Sequence, residues 1–143
     1  MTEQEVLTAI LGASTILLLF MLLILLACII VVIVSMWKIF TKAGEKGWKS
    51  IIPIYNSYIL FSIVKVPQLF WGWLVCVIIS NFNSELFSVI GTIGVLVISI
   101  ITCIKVAKVF GKSNGFAIGL IFLPEIFYPI LAFGSANYQP EVN

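Results

Sequence analysis

The sequence predicts an all-α integral membrane protein with four transmembrane helices and a short re-entrant or interfacial segment after the first. Three observations lead to this class. Hydrophobic residues make up 62% of the 143 residues and charged residues only 10%, whereas a soluble domain carries about 25% charged residues. Apolar runs of membrane-spanning length recur along the chain, and the lysines cluster at the ends of these runs. We therefore expect residues 1–143 to form a single transmembrane domain.

The first span is predicted at about residues 8–37. Its centre, Ile16 to Val34, carries no polar side chain, and as a helix it reaches about 28 Å, close to the roughly 30 Å hydrocarbon core. This run is longer than the apolar core of a secretory signal peptide, and Glu3 and Glu5 precede it where a signal peptide has lysines. We expect a spanning helix and no cleaved leader.

A second apolar segment, at about residues 51–64, follows a polar loop. A helix over this segment reaches only about 21 Å, a length that is more typical of re-entrant, interfacial or buried segments than of spans. Pro53 and Asn56 also make it a poor lipid-facing helix. We expect it to stay on the cytoplasmic side, so that residues 38–65 form one cytoplasmic region.

Three further spans are predicted at about residues 66–80, 86–106 and 116–133. A second cytoplasmic loop, residues 107–115, separates the last two. Pro124 and Pro129 interrupt the last span, and we expect kinks there because proline removes a helix hydrogen bond.

The lysines predict the orientation, because Lys and Arg in short loops concentrate on the cytoplasmic side of a membrane. If the segment at 51–64 does not cross, all eight lysines lie on the cytoplasmic side, and Glu3, Glu5, Glu85 and Glu141 fall outside. Both termini are then expected to be extracytoplasmic. The candidate topology and lipid-contact residues, each worth about 1 kcal/mol against anionic lipid, are Lys38, Lys42, Lys46, Lys49, Lys105, Lys108 and Lys112.

The residue inventory argues against an enzyme. The chain contains no His, Asp or Arg, so Ser-His-Asp and Cys-His catalytic pairs and His-containing zinc sites are excluded. The net charge of +2 is too small to suggest nucleic-acid binding. Cys28, Cys76 and Cys103 are isolated among apolar residues, which is typical of buried free thiols. We expect no catalytic residues, no bound metal and no cofactor.

Glu125 is the one ionisable residue in the middle of a predicted span, and such residues are candidates for function. Its possible partners are Lys105 and the amides of Asn56, Asn81 and Asn83. One interpretation is a carboxylate that responds to protons or cations. The other, which we favour, is a protonated side chain bonded to backbone that the neighbouring prolines leave free.

Small residues provide a second set of candidates. Gly91 and Gly94 lie at the start of the third span, and Gly115 and Gly119 are four residues apart at the start of the fourth. Glycines at this spacing let helix backbones approach closely in lipid. They predict either a homo-oligomer contact or packing within the helix bundle, and we favour the second.

Two strings carry a resemblance to a known family: FTKAGEKGWKSIIPIYNSYIL, and KVAKVFGKSNGFAIGLIFLPEIFYPILAFGSANY. Over about residues 40–138 the chain resembles a family of small bacterial multi-spanning proteins defined as a domain of unknown function. Members are sometimes labelled signal peptidase I, but no catalytic Ser-Lys motif of that peptidase can be placed on this sequence. The resemblance implies a multi-pass protein of the bacterial cytoplasmic membrane with no established activity.

The function we expect is non-enzymatic: an accessory, immunity-like or oligomerising subunit. Its partners would be the lipid bilayer and either a second copy of the chain or another membrane protein. The alternative is a small transporter or channel that uses the proline-broken segments, with Pro53 and Asn56 in one and Pro124, Glu125 and Pro129 in the other.

Overall fold

The computed structural model describes residues 1–140, and these residues form helices and no strands. In chain order the elements are α1 (Glu3–Lys42), a 3₁₀ turn (Gly47–Ser50), α2 (Tyr55–Ile63), α3 (Gln68–Ser80), α4 (Glu85–Val109), α5 (Asn114–Phe122) and α6 (Pro124–Phe133). By length and composition, two of these helices, α1 and α4, could each cross a membrane. The helical class is therefore confirmed, and four transmembrane helices are not.

Helix α1 is continuous over 40 residues, about 60 Å. Thr2 and Glu5 form a reciprocal capping box at its start, with the Thr2 N–H donating to Glu5 Oε2 at 2.7 Å. Only its last turns are buried, at Ser35, Met36, Ile39 and Phe40. The rest of its apolar surface, including the Cys28 thiol that we expected to be buried, is exposed because no other helix packs along it.

Helices α3 and α4 form an antiparallel hairpin with glycines in the contact between them. Gly72 faces Ile98 near the open end, Gly94 faces Cys76 in the middle, and Gly91 lies against Cys76 and Ser80 near the turn. The missing Cβ at Gly91 lets the two backbones approach closely, and that at Gly94 leaves room for the Cys76 side chain. This contact holds α3 along the N-terminal part of α4.

The predicted span at residues 116–133 does not form one continuous helix. It consists of two short helices, α5 and α6, which meet at Leu123 (φ −135°, ψ 59°). The cause is local, because the residue before a proline is sterically disfavoured in the helical region and Pro124 has no N–H to continue the ladder. The helix α6 does continue through Pro129.

The two short helices fold back on each other as a hairpin. The Phe127 ring of α6 lies on Gly119 of α5, and the ring centroids of Phe116 and Phe127 are 5.1 Å apart with edge-to-face geometry. Helix α5 also packs on α4, and α6 packs on α1. The hairpin therefore lies beside the C-terminal parts of α1 and α4.

The second segment, predicted at 51–64, is also divided. Residues 51–54 form turns, with Ile54 at φ 65°, and α2 follows with Ile59, Phe61 and Ile63 buried in the protein. Its nine residues reach about 14 Å, too short to cross a bilayer. Val64 ends the helix inside the core, and Lys65 turns the chain towards α3 at φ 64°.

The hydrophobic core sits at one end of the molecule, where the C-terminal parts of α1, α2 and α4 meet α5, α6 and the tail. Its fully buried members include Ile39 and Phe40 of α1, Val106 of α4, Leu120 of α5 and Leu131 of α6.

The chain after α6 is anchored at this same end. The Tyr138 hydroxyl donates to the Ile63 carbonyl at 2.6 Å, the Gln139 N–H donates to the Val109 carbonyl at 2.5 Å, and the Tyr138 ring lies 5.7 Å from that of Phe110. The tail therefore lies at the opposite end of α1 from Glu3. The expectation that both termini are extracytoplasmic stays a prediction.

Candidate functional site

The lysines gather at the core end of the molecule, which we call the lysine end. It comprises the C-terminal ends of α1, α2 and α4, the 3₁₀ turn and residues 134–140, and it carries all eight lysines. Glu3 and Glu5 lie at the far end of α1, and Glu85 lies at the far end of α4. Apart from Glu45, which pairs with Lys49, and Glu125 at the start of α6, the described carboxylates therefore lie away from the lysines.

Lys42 ties α1 to α6 at the lysine end. Its ammonium donates to the carbonyls of Leu131 at 2.8 Å, Gly134 at 2.9 Å and Ala136 at 2.9 Å. A lysine ammonium has three donors, so all of them are used. Since the last carbonyls of a helix have no partner within the helix, Lys42 acts as a side-chain cap for the C-terminus of α6.

Three other lysines lie over aromatic rings. Lys38 Nζ is 4.4 Å from the centroid of the Phe133 ring, Lys112 Nζ is 5.6 Å from that of Phe116, and Lys49 Nζ is 6.0 Å from that of Tyr55. Each pair brings a cation to an exposed or half-buried ring. A lysine covers apolar surface with its stem and keeps its ammonium in water, which suits the interface between bilayer and water.

The 3₁₀ turn is held by packing and hydrogen bonds. The Trp37 indole lies directly on Gly47, where no side chain larger than hydrogen fits. The Ser50 hydroxyl donates to the Gly47 carbonyl at 2.8 Å, and the Asn56 amide donates to the Ser50 carbonyl at 2.9 Å. Asn56 is therefore a structural residue that links the turn to α2. Pro53 lies between them in an exposed turn.

Two ionisable groups at the lysine end, outside the long helices α1 and α4, have shifted pKa values. A hydrogen bond from Lys49 to Glu45, with 2.6 Å between nitrogen and oxygen, raises the pKa of the lysine. Burial raises the pKa of the Tyr138 phenol, and the Glu45 carboxylate adds to this shift. Both shifts keep the groups in their ordinary neutral-pH states.

Glu125 lies in the first turn of α6, beside the break at Leu123, and it is exposed. It makes no hydrogen bond or ion pair with any residue from 1 to 140. Two of the expected amide partners bond to nearby backbone instead of Glu125. The Asn56 amide donates to the Ser50 carbonyl, and the Asn81 amide donates to the Val77 carbonyl. A carboxylate at this position interacts favourably with the helix dipole.

The four candidate glycines fall in different places. Gly91 and Gly94 lie in the α3–α4 contact, and Gly119 lies under Phe127 within the α5–α6 hairpin. An added Cβ at Gly115 would meet only the Ser113 hydroxyl, at 3.7 Å. The pair at 115 and 119 therefore does not form one continuous packing face.

A groove between α4 and α5 was not predicted from the sequence. It measures about 350 Å³, and its walls are apolar, with Ile100 and Ile104 from α4 and Ile118 and Ile121 from α5. Lys108 and Asn114 lie at its end nearest the lysine end. No sequence signal reveals this groove, since it depends on α5 folding back along α4.

The other candidate groups remain separate. Cys76 and Cys103 are half-buried and unpaired, and within residues 1–140 no three His, Cys, Asp or Glu side chains come together to hold a metal ion. Lys46 is exposed at the start of the 3₁₀ turn, and Lys105 is half-buried one turn before the end of α4.

The chain belongs to a family of unknown function, DUF5684, whose family model matches residues 48–141. The match covers the 3₁₀ turn, α2 to α6 and the tail, and it begins after α1. No curated protein and no solved structure matches the chain.

Proposed function

We propose that this chain is a non-enzymatic, multi-pass subunit of the bacterial cytoplasmic membrane that self-associates through α1. The observation that carries the proposal is the apolar surface of α1, which is exposed from Val6 to Val31 and has no helix of the same chain packed on it. Helix α4, the other long apolar helix, has α3 packed along it. Helix α1 therefore offers a long apolar surface that is free on all sides over most of its length.

One face of α1 suits a helix contact. Thr8, Gly12 and Thr15 follow one another at spacings of four and three, so they lie on the same side of the helix. An added Cβ at Gly12 meets nothing within 4 Å. The hydroxyls of Thr8 and Thr15 donate to carbonyls of their own helix. This face therefore offers close approach of backbones, which is what drives helix association in lipid.

The charge distribution supports one orientation in the membrane. With the lysine end at the cytoplasmic face, α1 crosses inwards, the chain passes outwards over residues 65–85, about 20 Å of it as helix α3, and α4 returns. The α5–α6 hairpin enters from the cytoplasmic side and goes back to it, because α5 begins beside the end of α4 and α6 ends beside Lys42. The protein then has three crossings, an outer N-terminus and a cytoplasmic C-terminus.

Reporter fusions test this orientation. A fluorescent protein that matures only in the cytoplasm, fused after the tail, is expected to fluoresce, and the same protein fused before Thr2 is expected to stay dark. The side of the membrane on which the tail lies depends on whether the α5–α6 hairpin crosses. A dark C-terminal fusion at normal expression would therefore overturn the three-crossing arrangement and favour a fourth crossing.

Energy transfer between labelled copies tests self-association. We expect transfer in liposomes to fall on dilution with lipid, as for a reversible oligomer, and Gly12→Leu to weaken association by about tenfold, because a large side chain separates the backbones. The matched control is Leu17→Val on the opposite face, which is exposed and is expected to leave transfer unchanged. Transfer no greater than that of random encounters in the wild-type chain would reject the proposal.

A further inference from the structure

The groove between α4 and α5 is apolar along its walls and polar at one end. Its walls are formed by isoleucines, and Ile118 remains 56% exposed even though it faces this groove. Its volume of about 350 Å³ lies within the range of roughly 300–1,000 Å³ that is typical of ligand pockets. Polar groups occur only towards the lysine end, at Lys108 and Asn114.

The polar mouth of the groove favours an anion. Lys108 is exposed, and the one salt bridge within residues 1–140 is the Lys49–Glu45 pair, so no carboxylate of this part of the chain neutralises Lys108.

The start of α5 adds hydrogen-bond donors beside that lysine. Ser113 is its N-cap, but the serine side chain makes no capping bond. An added Cβ at Gly115 meets only the Ser113 hydroxyl, at 3.7 Å, so the first turn is open. Unpaired N–H groups at a helix start carry partial positive charge and bind anions.

We propose that this groove binds one anionic phospholipid. The phosphodiester lies at Lys108 and the first turn of α5, and one acyl chain runs between Ile104 and Ile118 towards Ile121. A free phosphate would bind the polar groups at the mouth of the groove but would leave the isoleucine walls without a contact. A phospholipid binds the polar groups with its headgroup and covers the isoleucines with its acyl chain. The lysine end faces the cytoplasm in the orientation proposed above. The headgroup then lies at the cytoplasmic surface and the acyl chain extends towards the middle of the bilayer, as for a lipid of the inner leaflet.

The lipid site rests on that membrane placement and is independent of self-association. Flotation with liposomes separates the two, because a chain that does not float contradicts the placement itself. A chain that floats but has no lipid preference contradicts the site alone.

Native mass spectrometry of the purified chain, with phosphatidylglycerol or phosphatidylcholine added at equal concentrations, tests the site. We expect one phosphatidylglycerol to remain bound and Lys108→Gln to reduce its occupancy by about tenfold, as expected for loss of a charged hydrogen-bond donor. The matched control is Lys65→Gln, which removes the same charge from an exposed lysine that does not line the groove.

A second variant tests the apolar wall. Ile118→Trp fills the groove from an exposed position and is expected to reduce phosphatidylglycerol occupancy while Lys108 is intact. Equal losses in Lys108→Gln and Lys65→Gln, or equal retention of the two lipids, would overturn the proposal. Displacement of the lipid by millimolar inorganic phosphate would also overturn it, because the polar end of the groove would then be a binding site for a soluble anion.

Discussion

Replacing Gly91 with alanine is expected to destabilise the α3–α4 hairpin by about 1–3 kcal/mol, the usual range for overpacking a close contact. A Cβ at this position would lie 2.6 Å from the Cys76 carbonyl oxygen and would also clash with the backbone of Ser80. Because the obstructing atoms belong to the backbone of α3, no side-chain rotation relieves the clash. The two helices must move apart instead.

The same substitution at Gly72 provides the control for Gly91→Ala. A Cβ at Gly72 would be in ordinary contact with Ile98 at 3.7 Å, so Gly72→Ala is expected to be neutral or to stabilise α3 by up to about 1 kcal/mol through helix propensity. Thermal unfolding in a mild detergent, followed by circular dichroism, measures both. If the two variants shift the midpoint in the same direction, backbone approach at Gly91 does not determine the packing.

Replacing Lys42 with methionine is expected to destabilise the lysine end by about 1–3 kcal/mol, the cost of leaving polar groups without partners. Methionine has an unbranched apolar side chain, one atom shorter than that of lysine, and removes three donors, so the carbonyls of Leu131, Gly134 and Ala136 lose their shared partner. Leu131 is fully buried, which limits the access of replacement water to this site.

Limited proteolysis and hydrogen exchange measure the effect of Lys42→Met. We expect faster exchange in α6 and earlier cleavage of residues 134–140, while the α3–α4 hairpin keeps its protection. Lys46→Met is the control, since Lys46 is exposed and its ammonium makes no hydrogen bond with the described residues. Protection of α6 that is unchanged in Lys42→Met would mean that the cap does not hold the tail.

Much of the fold follows from hydrophobic run length. The centre of α1 has no polar residue and α4 is 25 residues long, so both are recognisable as long helices without tertiary information. The charges are equally informative: the lysines lie at one end and Glu3 and Glu85 at the far ends of their helices.

The α5–α6 hairpin could not be distinguished from a kinked span by hydropathy, because both are apolar throughout. Two residues do encode it. Pro124 disfavours helix at Leu123, and Gly119 makes room for the Phe127 ring when the chain turns back. A proline and a glycine also occur in ordinary packed helices, so only the tertiary contact shows that they cooperate here.

The role of Lys42 and the α4–α5 groove were also beyond sequence reasoning. Lys42 bonds to carbonyls 89 to 94 residues away, and backbone carbonyls leave no signature in the side-chain pattern. The sequence suggested lipid contact for Lys108, but not the isoleucine groove beside it. Conversely, Glu125 stood out in the sequence because it interrupts an apolar segment, yet in the fold it has no polar partner among the described residues.

Because α1 is buried only near its C-terminal end, a small rotation there moves its N-terminal end over a larger distance. From Ser35, where burial begins, to Glu3 the rigid rod measures about 48 Å at the usual rise per residue. A rotation of about 5° at the core therefore moves the capped first turn sideways by about 4 Å, simply from that length. Small rearrangements around Phe40 and Leu131 at the lysine end would thus be amplified into larger displacements at the far end of α1.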